Sequence, residues 1–437
     1  MLSKLKGAAK SAAAKAKTLK QPAIHSSDRH ILALDIGTEN VKAIIGRVYG
    51  EGQIEIVGVG RAHQNLTDMA AGAIADIAAV TANCDKALSD AEAQAGLTAD
   101  SVVIGIAGEL VKGTTNSVKI SRKDPQKPLD VDEVEKIISL VQDRAETAAK
   151  KQLSIELGGK NVEVRLVNSA LVRITIDGYP ITNPVGFQGR EVEVQLYTAF
   201  APMIHIGALE RVASELDLSL MAVAAEPFAV ARAVVGDDPN ASTNAILMDV
   251  GGGTTDIAVV QEGGVQGTKM FGIGGRAFTK SIERDSGVTF LQAEALKVGL
   301  SEGRVPAAKL ASVEKPLKKT LEVWRSGVEL ALDEFTNVDQ MPSRVLLCGG
   351  GSSLSMLVNE LKNSAWYRDL PFARQPQVDL IMPEEIDGFR DVSNNLTDHT
   401  FITAMGLLRV AVDTMEQTGA SPAVQTIKDK FNRLLKV

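Results

Sequence analysis

Only two cysteines, Cys84 and Cys348, occur in 437 residues. Two thiols cannot build a disulfide framework, so a reducing cytoplasm and small-residue core roles for both are expected. No run of about 18 apolar residues occurs, so no membrane-spanning helix is expected. The five histidines show no metal-ligand spacing. There is no Gly-x-Ser-x-Gly element and no Walker A loop, so neither a nucleophile elbow nor a P-loop is expected. A net charge of −7 argues against nucleic acid as the main partner. Apolar content of 45% and charged content of 23% are those of a globular chain, and the length suits two domains.

What the chain does have is glycine at ordered places. Residues 245–250 read as a buried strand and 257–260 as a second, with Gly251, Gly252, Gly253, Thr254 and Thr255 between them. A turn without Cβ atoms lets backbone N–H groups approach phosphate oxygens, and hydroxyls add donors. Asp249, ending the first strand, is a candidate to hold Mg²⁺ through water. An ordinary tight hairpin would have the same local sequence. The pattern, however, occurs twice. Residues 31–38 form an apolar strand closing on Asp35, Gly37 and Thr38, followed by strands at 41–48 and 54–59. The exits also match: Val57-Gly-Val-Gly-Arg-Ala-His against Phe271-Gly-Ile-Gly-Gly-Arg-Ala-Phe, which brings in Gly274, Gly275 and Arg276. Two such units suggest duplicated halves closing on one nucleotide. A third piece, a buried strand at 345–348 running into Gly349, Gly350, Gly351 and Ser352, leads to a helix at 353–361 whose N-terminus favours anions.

Residues 1–28 carry six lysines before the first acid, Asp28, and read as a basic flexible tail, with an anionic-lipid or polymer contact as the sharper option. The first half spans 29–110, with 385–412 returning to it. Within it Lys42 is either a solvated strand residue or a phosphate ligand, and 70–95 reads as a helix. Residues 111–200 read as an inserted α+β interaction module. A capping box at Asp130 and Glu133 opens its helix, and strands follow at 162–167, 170–176 and 191–198. The second half spans 201–384. In it, Glu226 is a candidate for orienting water or Mg²⁺, or else a helix-start charge favoured by the dipole. Small residues at 229–233 and at Ala404 and Gly406 suit two closely crossing hinge helices. Glu294 and Lys297 lie on one helix face, as a surface ion pair or as ligands of ribose and purine edges.

Asp35-Ile-Gly-Thr, Asp249-Val-Gly-Gly-Gly-Thr-Thr-Asp and Cys348-Gly-Gly-Gly together resemble the three nucleotide motifs of the actin–chaperone–sugar-kinase ATPases. The short link from His63 to Ala70 leaves no room for the early subdomain of actin, MreB and the DnaK-type chaperones. That absence, the later insertion and its Asn183-Pro-Val-Gly clamp resemble the FtsA family over about 30–437. The resemblance implies an α/β actin-like fold and ATP in the cleft, with Mg²⁺ near Asp35 and Asp249. Gly37, Thr38 and Lys42 would face Gly251 to Thr255 across the phosphates. Gly274, Gly275, Arg276, Glu294, Lys297 and Gly349 to Ser352 would hold the nucleoside, with Glu226 and Asp249 as the catalytic pair. It further implies weak ATPase activity at most, self-polymerisation, FtsZ and other division proteins as partners, and a place on the cytoplasmic face of the bacterial inner membrane at the division site. A pilus-assembly scaffold of the PilM kind and a small-molecule kinase are the alternatives. The basic tail departs from the family pattern.

Residues 413–422 read as a linker. Beyond it, Val424, Ile427, Phe431, Leu434 and Leu435 fall on one helical face, flanked by Lys428, Lys430, Arg433 and Lys436. An apolar stripe is usually core, but a polar linker before it favours an interfacial anchor over 423–437. Each buried apolar side chain contributes at most about 1.5–3 kcal/mol and each basic residue about 1 kcal/mol, against about 1–2 kcal/mol per residue ordered. One copy should therefore bind reversibly, and a polymer should bind by avidity.

Overall fold

The computed structural model describes residues 29–50, 52–236 and 242–418. The expectations for the 1–28 tail and for the anchor residues from Val424 to Leu435 lie outside them. In chain order the first half opens with β1 (Arg29–Ile36), β2 (Asn40–Tyr49) and β3 (Gln53–His63), then a small hairpin of β4 (Met69–Ala70) and β5 (Ala73–Ile74). Next come α1 (Ile77–Ala95) and β6 (Ser101–Ile106). Helix α1 starts seven residues later than expected because Asp76 caps it, its carboxylate accepting from Ala79 N–H. Gly96, at φ 69°, ends it in the left-handed region that glycine adopts without strain.

The insertion contains β7 (Lys112–Ser121), α2 (Val131–Glu156), β8 (Val164–Ile176), β9 (Tyr179–Pro180) and β10 (Glu191–Pro202). After it come α3 (Met203–Glu215), β11 (Ser219–Ala225) and α4 (Glu226–Val235). The second half adds β12 (Ala245–Val250), β13 (Thr255–Gln261), β14 (Gly264–Phe271), α5 (Gly275–Ser286), α6 (Phe290–Ser301) and α7 (Ala307–Asp333). The chain continues through β15 (Arg344–Cys348), α8 (Ser355–Asn363), β16 (Gln377–Leu380), β17 (Phe389–Asp391) and α9 (Ile402–Thr418).

Two large mixed sheets result. One has the order β11-β6-β1-β2-β3-β17, the other β16-β15-β12-β13-β14-β7-β10-β8-β9. Each is built on a three-stranded meander, β1-β2-β3 and β12-β13-β14, so the duplicated units are real in space. Buried strands with continuous apolar runs form the two cores, around Ile31, Leu34 and Ile44 in one and Ile246, Ile257 and Trp324 in the other. Helix α2 covers the insertion sheet with Val134, Ile137, Ile138 and Val141.

Three assignments made from sequence change. Residues 203–235 belong with the first half, because β11 pairs in parallel with β6. The insertion is continuous with the second half's sheet, since Gly267 and Thr268 of β14 face Thr114 and Gly113 of β7. Helix α9 runs on to Thr418, so 413–418 are helical rather than linker. The expected crossing of small-residue helices is present: α4 packs on α9, with Gly406 pressed against the Ala229 carbonyl. Among the described residues no helix is long and apolar enough to cross a membrane.

Candidate functional site

The two glycine turns touch. A Cβ placed on Gly252 would lie 2.9 Å from Glu39 Cβ, and one on Gly253 2.7 Å from Thr38 Oγ1. Only glycine permits this approach of one half to the other. The second turn is tied to the helix behind it: Gly275 and Arg276 N–H donate to the Gly251 and Gly252 carbonyls at 2.9 and 2.8 Å. Gly351 and Gly349 form the third side, each packed against the Val250 carbonyl. Between these walls runs one cavity, lined by Asp35, Gly37, Thr38, Lys42, Glu226, Asp249, Gly251, Gly252, Thr254 and Gly275 together with residues 349–351.

Strand register places the charges. Asp35 faces Lys42 across β1–β2, and Asp249 faces Asp256 across β12–β13. Lys42 Nζ donates to Asp35 Oδ2 at 2.8 Å, so its first partner is a carboxylate. Burial alone would lower the Lys42 pKa, but Asp35 and Asp249 outweigh it and raise it. The Thr403 hydroxyl of α9 donates to Asp249 Oδ2. Burial still pushes Asp249 upward against the opposing pull of Lys42. Glu226 is pushed well up, by burial first and then by Asp35, Asp256 and Asp249. Asp256 is pushed well up by burial and by Asp249, and its Oδ1 is buried with no hydrogen-bond partner among the described residues.

A raised carboxyl pKa means that the folded state holds protons the unfolded chain has already released. The stabilisation is complete below the ordinary carboxylate range and is lost as pH rises through the raised values. Without added nucleotide, the melting temperature should therefore climb as pH falls from about 8 to about 6. Scanning fluorimetry should show a flatter slope in Glu226→Gln and in Asp256→Asn. An unchanged slope in both would contradict this reading of the cluster.

The far wall is made by α5 and α6. Lys297 Nζ lies 2.8 Å from Glu294 Oε2 and donates to Thr279 Oγ1 at 2.9 Å and to the Gly275 carbonyl at 3.2 Å. Thr279 also donates to Glu294. The pair therefore faces the start of α5 at the cavity edge and is not a solvated surface pair.

A model of the family described as Cell division protein FtsA matches residues 246–406, which hold the second glycine turn, the third glycine piece and the first turn of α9. Cell division protein FtsA of Pseudomonas aeruginosa is 26% identical over 403 residues, covering 87% of this chain and 89% of that protein. The Neisseria meningitidis protein of the same name is 25% identical and covers 89% of this chain and 91% of its own. Over these spans the chain is similar to the FtsA family. Its actin-like fold is matched by a solved PilM-PilN type IV pilus biogenesis complex, at a TM-score of 0.61 and 16% identity over 87% of this chain and 98% of that one. That likeness concerns the fold alone.

The structure corrects several site expectations. Thr255 is not a cavity residue. Its hydroxyl accepts from Trp324 Nε1 at 2.9 Å and donates to the Ile273 carbonyl at 2.7 Å, inside the second core. Thr254, one residue earlier, lines the cavity. Ser352 turns away as well, donating to the Cys348 carbonyl at 2.6 Å. Gly253 and Gly274 act by close backbone packing, against Thr38 and against the Gly251 and Gly252 carbonyls, and do not line the cavity. Arg276 reaches the cavity, but its guanidinium spans the two halves, with Nε 2.7 Å from Glu39 Oε2. Sequence reasoning missed Asp256 and Thr403. Asp256 stood within the quoted motif, and its alternation with Thr255 along β13 was the available signal.

Proposed function

We propose that the chain binds ATP with Mg²⁺ between its two halves. It acts as an actin-like polymer subunit that ties FtsZ to the cytoplasmic face of the bacterial inner membrane at the division site and recruits other division proteins. The observation that carries the reading is the meeting of two glycine turns over one cavity that holds both Asp35 and Asp249. Asp256 Oδ1, buried and unpartnered among the described residues, fits a site that gains a hydrated cation. Bound Mg²⁺ would neutralise phosphate charge that these carboxylates alone would repel.

The chain's own residues then divide the work. Asp35 and Asp249 would hold the cation through its waters, and Lys42 holds the Asp35 carboxylate in place. Gly37, Thr38, Gly251, Gly252 and Thr254 close on the phosphates. Gly275, Glu294 and Lys297 stand where a ribose would lie, and Gly349 to Gly351 keep the floor free of side chains. Glu226, at the start of α4, is placed to orient a water and holds its proton more tightly than an exposed glutamate does. Closure would act through the α4–α9 crossing and the Arg276–Glu39 contact, and so set assembly. Similarity to proteins named for cell division supports the division role.

The membrane contact rests on the sequence of 423–437. Full chain with ATP should co-sediment with anionic liposomes, while chain lacking 423–437 and Phe431→Glu should stay in the supernatant. Equal pelleting of all three would rule the anchor out.

A further inference from the structure

The carboxylate of Glu226 enters the cavity from the first residue of α4, and its setting comes from the insertion. Ala225, the residue before the helix, donates its N–H to Asn168 Oδ1 at 2.8 Å, and this bond is buried. No side chain of the helix's own start caps α4. Two residues beyond Glu226, the Phe228 ring stacks on Tyr197, with centroids 5.3 Å apart and planes within 4°. The Tyr197 hydroxyl is 3.1 Å from Thr268 Oγ1 on β14, in the second half. Asn168 lies on β8 opposite Ala199, and Tyr197 lies on β10 opposite Ala170. That register puts the two on one face of the insertion sheet. The residues before and after Glu226 are thus both held by the insertion, and neither holder lines the cavity.

We propose that Asn168 and Tyr197 are positioning residues for Glu226, so that the inserted subdomain is mechanically part of the cleft. Asn168 satisfies the N–H of the residue that leads into α4, and the Tyr197 ring packs on the helix's first turn. Gly113 keeps the junction open, since a Cβ there would fall 2.5 Å from the Tyr197 hydroxyl oxygen. A partner or neighbouring copy that strains the β8–β10 pair would shift Glu226. Nucleotide binding would shift the insertion by the same coupling energy. This inference rests on the nucleotide reading above, and one arm of its test is independent of it.

The test uses full chain as wild type, Asn168→Ala, Tyr197→Phe, Glu226→Gln and the Asn168→Ala/Glu226→Gln double variant. Tyr197→Phe keeps the stacked ring and loses only the Thr268 bond, so it guards against a folding failure in Asn168→Ala. Without nucleotide, hydrogen exchange over 222–235 should quicken in Asn168→Ala and in Tyr197→Phe while α1 is unchanged. With ATP and Mg²⁺, calorimetric titration should show Asn168→Ala changing affinity by about fivefold. The same substitution should change nothing further in the Glu226→Gln background. Equal fold-changes in both backgrounds would mark Asn168 as structural only and overturn the proposal, as would unaltered exchange at the start of α4. If wild type takes up no ATP, the nucleotide reading fails, and the exchange result alone supports or overturns the positioning role.

Discussion

Gly349→Ala should abolish ATP binding and lower stability measurably. Gly349 sits at φ 80° and ψ 157°, a region kept almost entirely to glycine, which a residue with a Cβ adopts only at a cost of about 1–3 kcal/mol. The added methyl would also overlap an Asp249 carboxylate oxygen and come within 2.6 Å of the Val250 carbonyl. Overpacking typically costs a further 1–3 kcal/mol or so. Neither neighbour has room to yield, because the Asp249 carboxylate also accepts from Thr403 and Val250 ends a buried strand. The expected total is on the order of 2–6 kcal/mol, with Asp249 displaced from the cavity wall. Thermal melting and ATP titration check the two parts separately, and wild-type behaviour in both would remove Gly349 from the site.

Gly406→Ala sets two effects against each other. Alanine in a helix interior is favoured over glycine by about 1 kcal/mol, so local propensity predicts stabilisation. The α4–α9 crossing predicts the reverse. The new Cβ would overlap the Ala229 carbonyl and lie 3.1 Å from Val230 N, both backbone atoms of a buried helix. Backbone cannot rotate aside, so the helices must separate along a contact that otherwise excludes water. Steric cost should win by about 2 kcal/mol or more, and because α9 also supplies Thr403 to Asp249, ATP affinity should fall with it. Urea unfolding reads the first and titration the second. A stabilised variant would show that the helices are not held this closely in solution.

How far the sequence could be read follows from the range of each interaction. The paired meanders were legible because an apolar strand closing on aspartate and glycine is a local pattern, and its repeat could be checked within the chain. Lys42 was expected as a phosphate ligand or a solvated strand residue, and its pairing with Asp35 across the hairpin emerges only in the fold. Attachment of the insertion to the second sheet left no local trace, since it rests on Gly267 and Thr268 meeting Gly113 and Thr114 far away in sequence. Likewise β11 joins the first sheet through β6, across the whole insertion. Strand β8 was expected as two strands because Asn168 and Ser169 interrupt its apolar run. Both are buried and satisfied, by the Ala225 N–H and by the Gln142 side chain, so the strand is continuous. Thr255 and Ser352 were placed at the cavity by motif. Their hydroxyls face the other way because side chains alternate along a strand and a tight turn reverses direction.

The central claim is that the two glycine turns grip one triphosphate. It is tested most directly by titrating ATP with Mg²⁺ into full chain, as wild type and as Gly252→Asp. Gly252 lies against Glu39 at the seam of the two turns, so the new carboxylate would stand beside an existing acid and face the phosphates. Saturable binding by wild type and none by Gly252→Asp, at unchanged secondary structure, is the predicted result. Equal affinity in the two proteins would contradict it.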